Sequence, residues 1–134
     1  MPERPRSGES AAGRKGAFMQ LKLSTRNKDE ILVVDCSGRI VFGDEASLLR
    51  DRIKSAILEN NRIVLNLDQV NYIDSGGLGT LVALHTTALN AGGHIKLASL
   101  TSRVGDLLQI TKLLTVFDVH NSVAEAVESF RKAA

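Results

Sequence analysis

The chain has no tryptophan, one tyrosine and four phenylalanines among its 134 residues, too few rings for the stacking platforms that hold single-stranded nucleic acid. Its single cysteine, Cys36, excludes an internal disulfide, and no second thiol stands by to form a redox or metal pair. No apolar run approaches the ~20 residues needed to span a bilayer. The N-terminus has no apolar stretch of the kind a secretory signal carries, so a cytoplasmic protein without membrane insertion is expected. Charge of one sign is scarce too. The formal net charge is +2, and it comes from the N-terminus, where Arg4, Arg6, Arg14 and Lys15 outweigh Glu3 and Glu9. Residues 19 to 134 carry 13 basic and 13 acidic side chains. A neutral body offers little to a phosphate backbone, and no direct contact with nucleic acid is expected.

What is present reads as one ordinary globular domain: 43% of residues are hydrophobic and 24% charged, near average usage. Residues 1–17 hold both prolines, three glycines and no large apolar residue except Met1. Such a segment cannot offset its ordering entropy by burial and is predicted to be a flexible N-terminal extension, with the domain spanning 18–134.

From Phe18 onward, Leu21 and Leu23 suggest a weak first strand before a polar turn from Arg26 to Glu30. In Ile31 to Ser37, Leu32, Val34 and Cys36 alternate with Val33, Asp35 and Ser37, the pattern of a half-buried strand. Cys36 is then core filling. Gly38 marks a turn, and Arg39 to Phe42 is predicted to return as a short strand. Asp44 and Glu45 open a helix whose stripe is Ala46, Leu49, Ile53, Ala56 and Ile57, ending at Asn60 and Asn61. Ile63 to Leu67 is a buried strand. After a turn region from Asp68 to Asp74, a second helix shows Leu78, Leu81, Val82, His85 and Leu89 on one face and stops at Gly92 and Gly93. On that stripe His85 is expected to be a hydrogen-bonded core histidine. His94 and His120 lack ligand-like spacing, and neither a metal nor a cofactor site is predicted.

A strand at Ile95 to Ala98, a helix from Ser102 to Thr111, a strand at Val116 to Val119 and a closing helix follow. In the last, Ser122 and Glu125 form a capping-box pattern, and the stripe is Val123, Ala126, Val127 and Phe130. The order β-β-β-α-β-α-β-α-β-α predicts the α/β class: a mixed β-sheet packed with about four α-helices.

The segment Tyr72-Ile73-Asp74-Ser75-Gly76-Gly77-Leu78-Gly79 joins a buried strand to a helix with three glycines crowded into one turn. Each glycine costs a helix interior roughly 1 kcal/mol relative to alanine. Glycine there permits unusual dihedrals or close approach by another surface. Packing of the helix on the sheet around a Ser or Asp N-cap is the simpler account. Established glycine signatures do not fit. No Lys-Ser/Thr pair follows Gly79, as a P-loop requires. Ile73 stands where a nucleophile elbow needs its first glycine, and the spacing of Gly76, Gly77 and Gly79 is not that of a dinucleotide fingerprint. No base, nucleophile or cofactor cradle emerges, so an enzyme is not predicted.

The run IVLNLDQVNYIDSGGLGTLV, Ile63 to Val82, resembles the strand, loop and helix that carry the phosphorylatable serine of STAS-domain anti-sigma-factor antagonists. The similarity extends from Leu21 to the closing helix. It implies the STAS fold and a non-catalytic role in partner switching. The unphosphorylated protein would bind an anti-sigma factor that is often a serine kinase, and phosphorylation on the matching serine, Ser75, would end the interaction. A PP2C-type phosphatase would restore it. Asp44, Glu45, Asp74, Ser75, Gly76, Gly77 and Gly79 are the residues expected at the partner surface, and homodimer formation is left open. Amides at the helix start are expected to receive the phosphate charge, so that the modification changes binding more than folding.

This sequence departs from the family pattern at three places. Val41 follows Gly38-Arg39-Ile40 where an acidic residue is common, Asp44 and Glu45 occupy the place of a Thr-Ala pair, and Gly77 replaces a second serine. The alternative reading is a non-catalytic STAS module of a stress-signalling scaffold or of a phospholipid-transport complex.

Overall fold

A computed structural model describes residues 19–132. Five strands form one sheet in the order β1-β2-β3-β4-β5: β1 (Leu21–Lys28), β2 (Ile31–Ile40), β3 (Arg62–Ile73), β4 (His94–Ala98) and β5 (Asp118–His120). Four helices alternate with them, α1 (Asp44–Glu59), α2 (Ser75–Asn90), α3 (Ser102–Ile110) and α4 (Val123–Lys132). The first two strands pair antiparallel through a hairpin whose turn residues, Asp29 and Glu30, both have positive φ, the requirement of a type I′ connection. Every later pairing is parallel. The predicted mixed α/β sheet with four helices is what the chain builds. The predicted extension at 1–17 lies outside the described residues.

Each parallel step moves one strand further in the same direction, so right-handed crossovers carry α1, α2 and α3 over one face. Leu49 and Ile53 of α1, Leu81 and Leu84 of α2, and Leu108 of α3 meet Leu65, Leu67 and Leu97 in the principal core. On the other face α4 lays Ala126, Val127 and Phe130 against Ile31, Val33, Val64 and Ala98. Val33 is therefore fully buried, not on the solvent side of a half-buried strand as its alternation suggested. The closing helix covers what local pattern left open. Its start is capped as predicted, the Glu125 amide donating to Ser122 Oγ at 3.1 Å.

The predicted short strand at Arg39–Phe42 is not a separate element, because β2 runs unbroken to Ile40. Gly38 is a bulge inside it, with φ of 115°. A Cβ there would lie 2.0 Å from the Gln20 carbonyl oxygen, and the Arg39 amide donates to that same oxygen at 2.8 Å. Pairing with β1 on one side and β3 on the other holds the strand together through the bend.

The predicted turn from Asp68 to Asp74 is likewise mostly strand. Beyond Asn66, β3 has lost β4 as a neighbour and keeps only β2. Exposed Asp68, Gln69 and Asn71 are tolerated on it for that reason. The buried stripe of α2 is Leu78, Leu81, Leu84 and Ala88. Leu89 is exposed, and His85 Nδ1 is buried without a hydrogen-bond partner, its ring edge-on to Phe117 at 5.6 Å. Cys36 is buried in the core, its thiol pushed by desolvation up to about 12.

Candidate functional site

The upper ends of β2 and β3 and the starts of α1 and α2 meet at Asp74. Its backbone amide donates to the Ile40 carbonyl at 3.3 Å, stitching the end of β3 to the end of β2. Its side chain is the N-cap of α2, accepting from the Gly77 amide at 2.8 Å. Both carboxylate oxygens also accept from the Phe42 amide at 3.1 Å. One residue thereby ties the β2–α1 loop to the first turn of α2. These donors, led by the Gly77 amide and including Phe42 and Gly76, hold the Asp74 carboxyl below the usual carboxylate range. The helix end expected to receive a phosphate is thus already occupied by an anion.

Ser75 follows as the first residue of α2 and is exposed. The next hydroxyl, Thr80, is committed to the Gly76 carbonyl at 3.0 Å. Two of the three motif glycines answer to the fold itself. A Cβ on Gly77 would lie 2.0 Å from the Ile40 carbonyl oxygen, and one on Gly76 would lie 2.6 Å from Phe42 Cβ. Gly79 is different, for a Cβ there meets no atom within 4 Å. Of the three, only Gly79 faces open space.

A groove lies on each side of Ser75. Between α2 and α3, a volume of about 820 Å³ is lined by Tyr72, Asp74, Leu78, Arg103 and Ile110 among others. Between the starts of α1 and α2, one of about 380 Å³ is lined by Phe42, Ser47, Arg50, Gly76 and Gly79 among others. Ser75 lines both. Two large apolar side chains stand out at these margins, Phe42 at 80% and Ile110 at 76% exposure.

The sequence-predicted residues divide by orientation. Asp74, Ser75, Gly76, Gly77 and Gly79 come together in one turn. Asp44 is exposed at the start of α1, while Glu45 is buried, its Oε2 accepting from the Gln20 amide at 2.8 Å. Neither lines the groove beside Ser75. Phe42, Arg50, Arg103 and Ile110 were not among the site residues expected from the sequence. Phe42 alone left a trace there, as a bulky ring directly before a glycine and a helix start.

Comparison with known proteins places this geometry. The family model for the STAS domain matches residues 22–126. The chain belongs to the STAS domain family. The anti-sigma-B factor antagonist of Bacillus subtilis is 28% identical over 102 residues, which are 75% of this chain and 92% of that one. An anti-sigma factor antagonist from Mycobacterium paratuberculosis superposes with a TM-score of 0.73 at 20% identity, covering 83% of this chain and 94% of the other. SpoIIAA, an anti-sigma factor antagonist solved in its unphosphorylated form, gives a TM-score of 0.69 at 18% identity over 83% of this chain and 97% of its own. The Bacillus cell fate determinant SpoIIAA in its phosphorylated form gives a TM-score of 0.63 at 17% identity, over 81% of this chain and 99% of its own. In this STAS domain the strand-to-helix turn that the sequence singled out is the exposed apex around Ser75. No described helix is long and apolar enough to cross a membrane.

Proposed function

We propose that the chain is an anti-sigma-factor antagonist that binds an anti-sigma factor with serine-kinase activity and is released from it when Ser75 is phosphorylated. A PP2C-type phosphatase would reverse the modification. The observation that carries the reading is the placement of Ser75. It is an exposed hydroxyl on a braced helix start, flanked by two grooves with Phe42 and Ile110 exposed at their margins. The Asp74 clamp keeps the apex in one shape, so a partner loses little entropy in ordering it. Curated relatives that match include anti-sigma factor antagonists, and among the similar solved structures is SpoIIAA in its phosphorylated form.

Phosphorylation adds about −1.5 to −2 charge and three acceptor oxygens. Beside the ionised Asp74 carboxylate, that group opposes any surface that must desolvate the apex to close on it. A loss of about 2 to 4 kcal/mol corresponds to binding weaker by roughly 30- to 1,000-fold. Calorimetric titration with the cognate anti-sigma-factor kinase tests the reading. Ser75→Ala should bind and resist phosphorylation, and Ser75→Asp should fold but bind poorly. A kinase that still phosphorylates Ser75→Ala elsewhere with the same loss of binding would overturn it.

A further inference from the structure

We propose that Arg103, on the first turn of α3, is the residue that receives the phosphate on Ser75. The inference rests on the reading of Ser75 as the modified residue. Helix N-termini ordinarily accept phosphate through free amides and the positive end of the dipole. At α2 that capacity is spent on Asp74, whose carboxylate takes the Gly77 amide at 2.8 Å and the Phe42 amide at 3.1 Å. A phosphate one residue further on therefore meets a fixed negative charge, and it needs a cation from outside α2.

Two guanidinium groups line the grooves that flank Ser75. Arg50, on the α1 side, stands 3.6 Å from the Asp51 carboxylate and 3.4 Å from Ser47 Oγ. Arg103, on the α3 side, has no ion pair with a described residue, and its guanidinium carbon lies 5.8 Å from the centre of the Tyr72 ring in the same groove as Ser75. Asp106, one turn further along α3, lines this groove without pairing with it. Arg103 also sits in the first turn of its helix, where a cation opposes the dipole and where no acidic residue offsets it. An incoming dianion would find there a guanidinium free to bind it in bidentate fashion and a second helix N-terminus behind it. Both helices start at the same edge of the sheet, because each follows the carboxyl end of a parallel strand. The bridge would cross the groove from α2 to α3 and cover Leu78 and Ile110. The phosphate would then act by closing an apolar surface as well as by its charge.

The test uses the full chain with phosphoserine installed at position 75 by amber suppression, its phosphate titrated by ³¹P NMR. The midpoint should lie below the value near about 6 usual for a phosphoserine. Arg103→Met should raise it by at least about half a unit, Arg103→Lys should retain part of the shift, and Arg50→Met should leave it in place. Coincident midpoints for Arg103→Met and the parent, or an equal shift from Arg50→Met, would overturn the assignment. Because the phosphoserine is encoded, the result is independent of any kinase. A kinase that ignores Ser75 would remove the functional reading and leave the titration intact.

Discussion

Replacing Gly77 by alanine separates what the motif glycines do for the fold from what they do for a partner. The new Cβ would stand 2.0 Å from the Ile40 carbonyl oxygen and 2.7 Å from its carbon, whereas ordinary contact begins near 3.4 Å. Both obstacles are backbone atoms at the end of β2, held between β1 and β3, so the first turn of α2 must withdraw by more than about 1 Å. Withdrawal strains the hydrogen bond from the Asp74 amide to the Ile40 carbonyl, already 3.3 Å, and the carboxylate's grip on the Phe42 amide. Overpacking of this kind costs about 1–3 kcal/mol, and the weakened hydrogen bonds add about 1 kcal/mol. Better helix propensity returns less than about 1 kcal/mol at the first turn. The net expectation is a loss of about 3 kcal/mol, or a fall of roughly 10 °C in Tm. Urea unfolding followed by far-UV circular dichroism measures it. Gly79→Ala is the paired control, with no atom within 4 Å of its Cβ. It should match the parent or gain up to about 1 kcal/mol, and it should lose affinity for the partner through the added methyl group. Equal unfolding midpoints for Gly77→Ala and the parent would refute the packing argument.

Further outcomes follow from the hydrogen bonds and charges. Asp74→Ala should lose about 1–2 kcal/mol through the missing N-cap and free the Phe42 amide, while Asp74→Asn should recover part of it; thermal denaturation of the three proteins checks the order. Glu45→Ala should destabilise by about 1 kcal/mol by orphaning the Gln20 amide, whereas Asp44→Ala should reduce binding of the partner more than the distant Glu128→Ala, as calorimetric titration checks. Asp35 is held low by its bond to Arg26, and Asp118 is low because Lys96 and His120 outweigh the effect of its burial. A carboxyl depressed in the folded state stabilises fully above its unfolded value near about 3.9 and loses that contribution as pH falls through the folded one. Unfolding free energy should therefore decline on acidification below about pH 4, and less steeply in Asp118→Asn. Cys36, with its thiol at about 12 and its side chain buried, should react with Ellman's reagent only at the rate of unfolding; fast labelling of the native protein would contradict its place in the core.

The sequence by itself determined the class of fold and the segment that matters. Alternation in β2, the 3.6-residue stripes of α1 and α4 and the Ser122 cap are local signals, written in the residues that form them. The cluster from Asp74 to Gly79 stood out because helix formation disfavours its composition. What only tertiary structure decided depends on neighbours distant along the chain. Val33 belongs to the core because α4 arrives some ninety residues later to cover it. Asp68 to Ile73 is a strand despite its polarity because β2 alone suffices to pair it. The glycines of the motif looked alike, yet Gly77 lies against the Ile40 carbonyl and Gly79 faces solvent. Asp44 and Glu45 are adjacent in sequence, and the helix turns one outward and the other onto the Gln20 amide. Arg103 reaches the groove beside Ser75 because two parallel crossovers bring the starts of α2 and α3 to one edge of the sheet. No spacing along the chain encodes that proximity, because it is fixed by which strands pair.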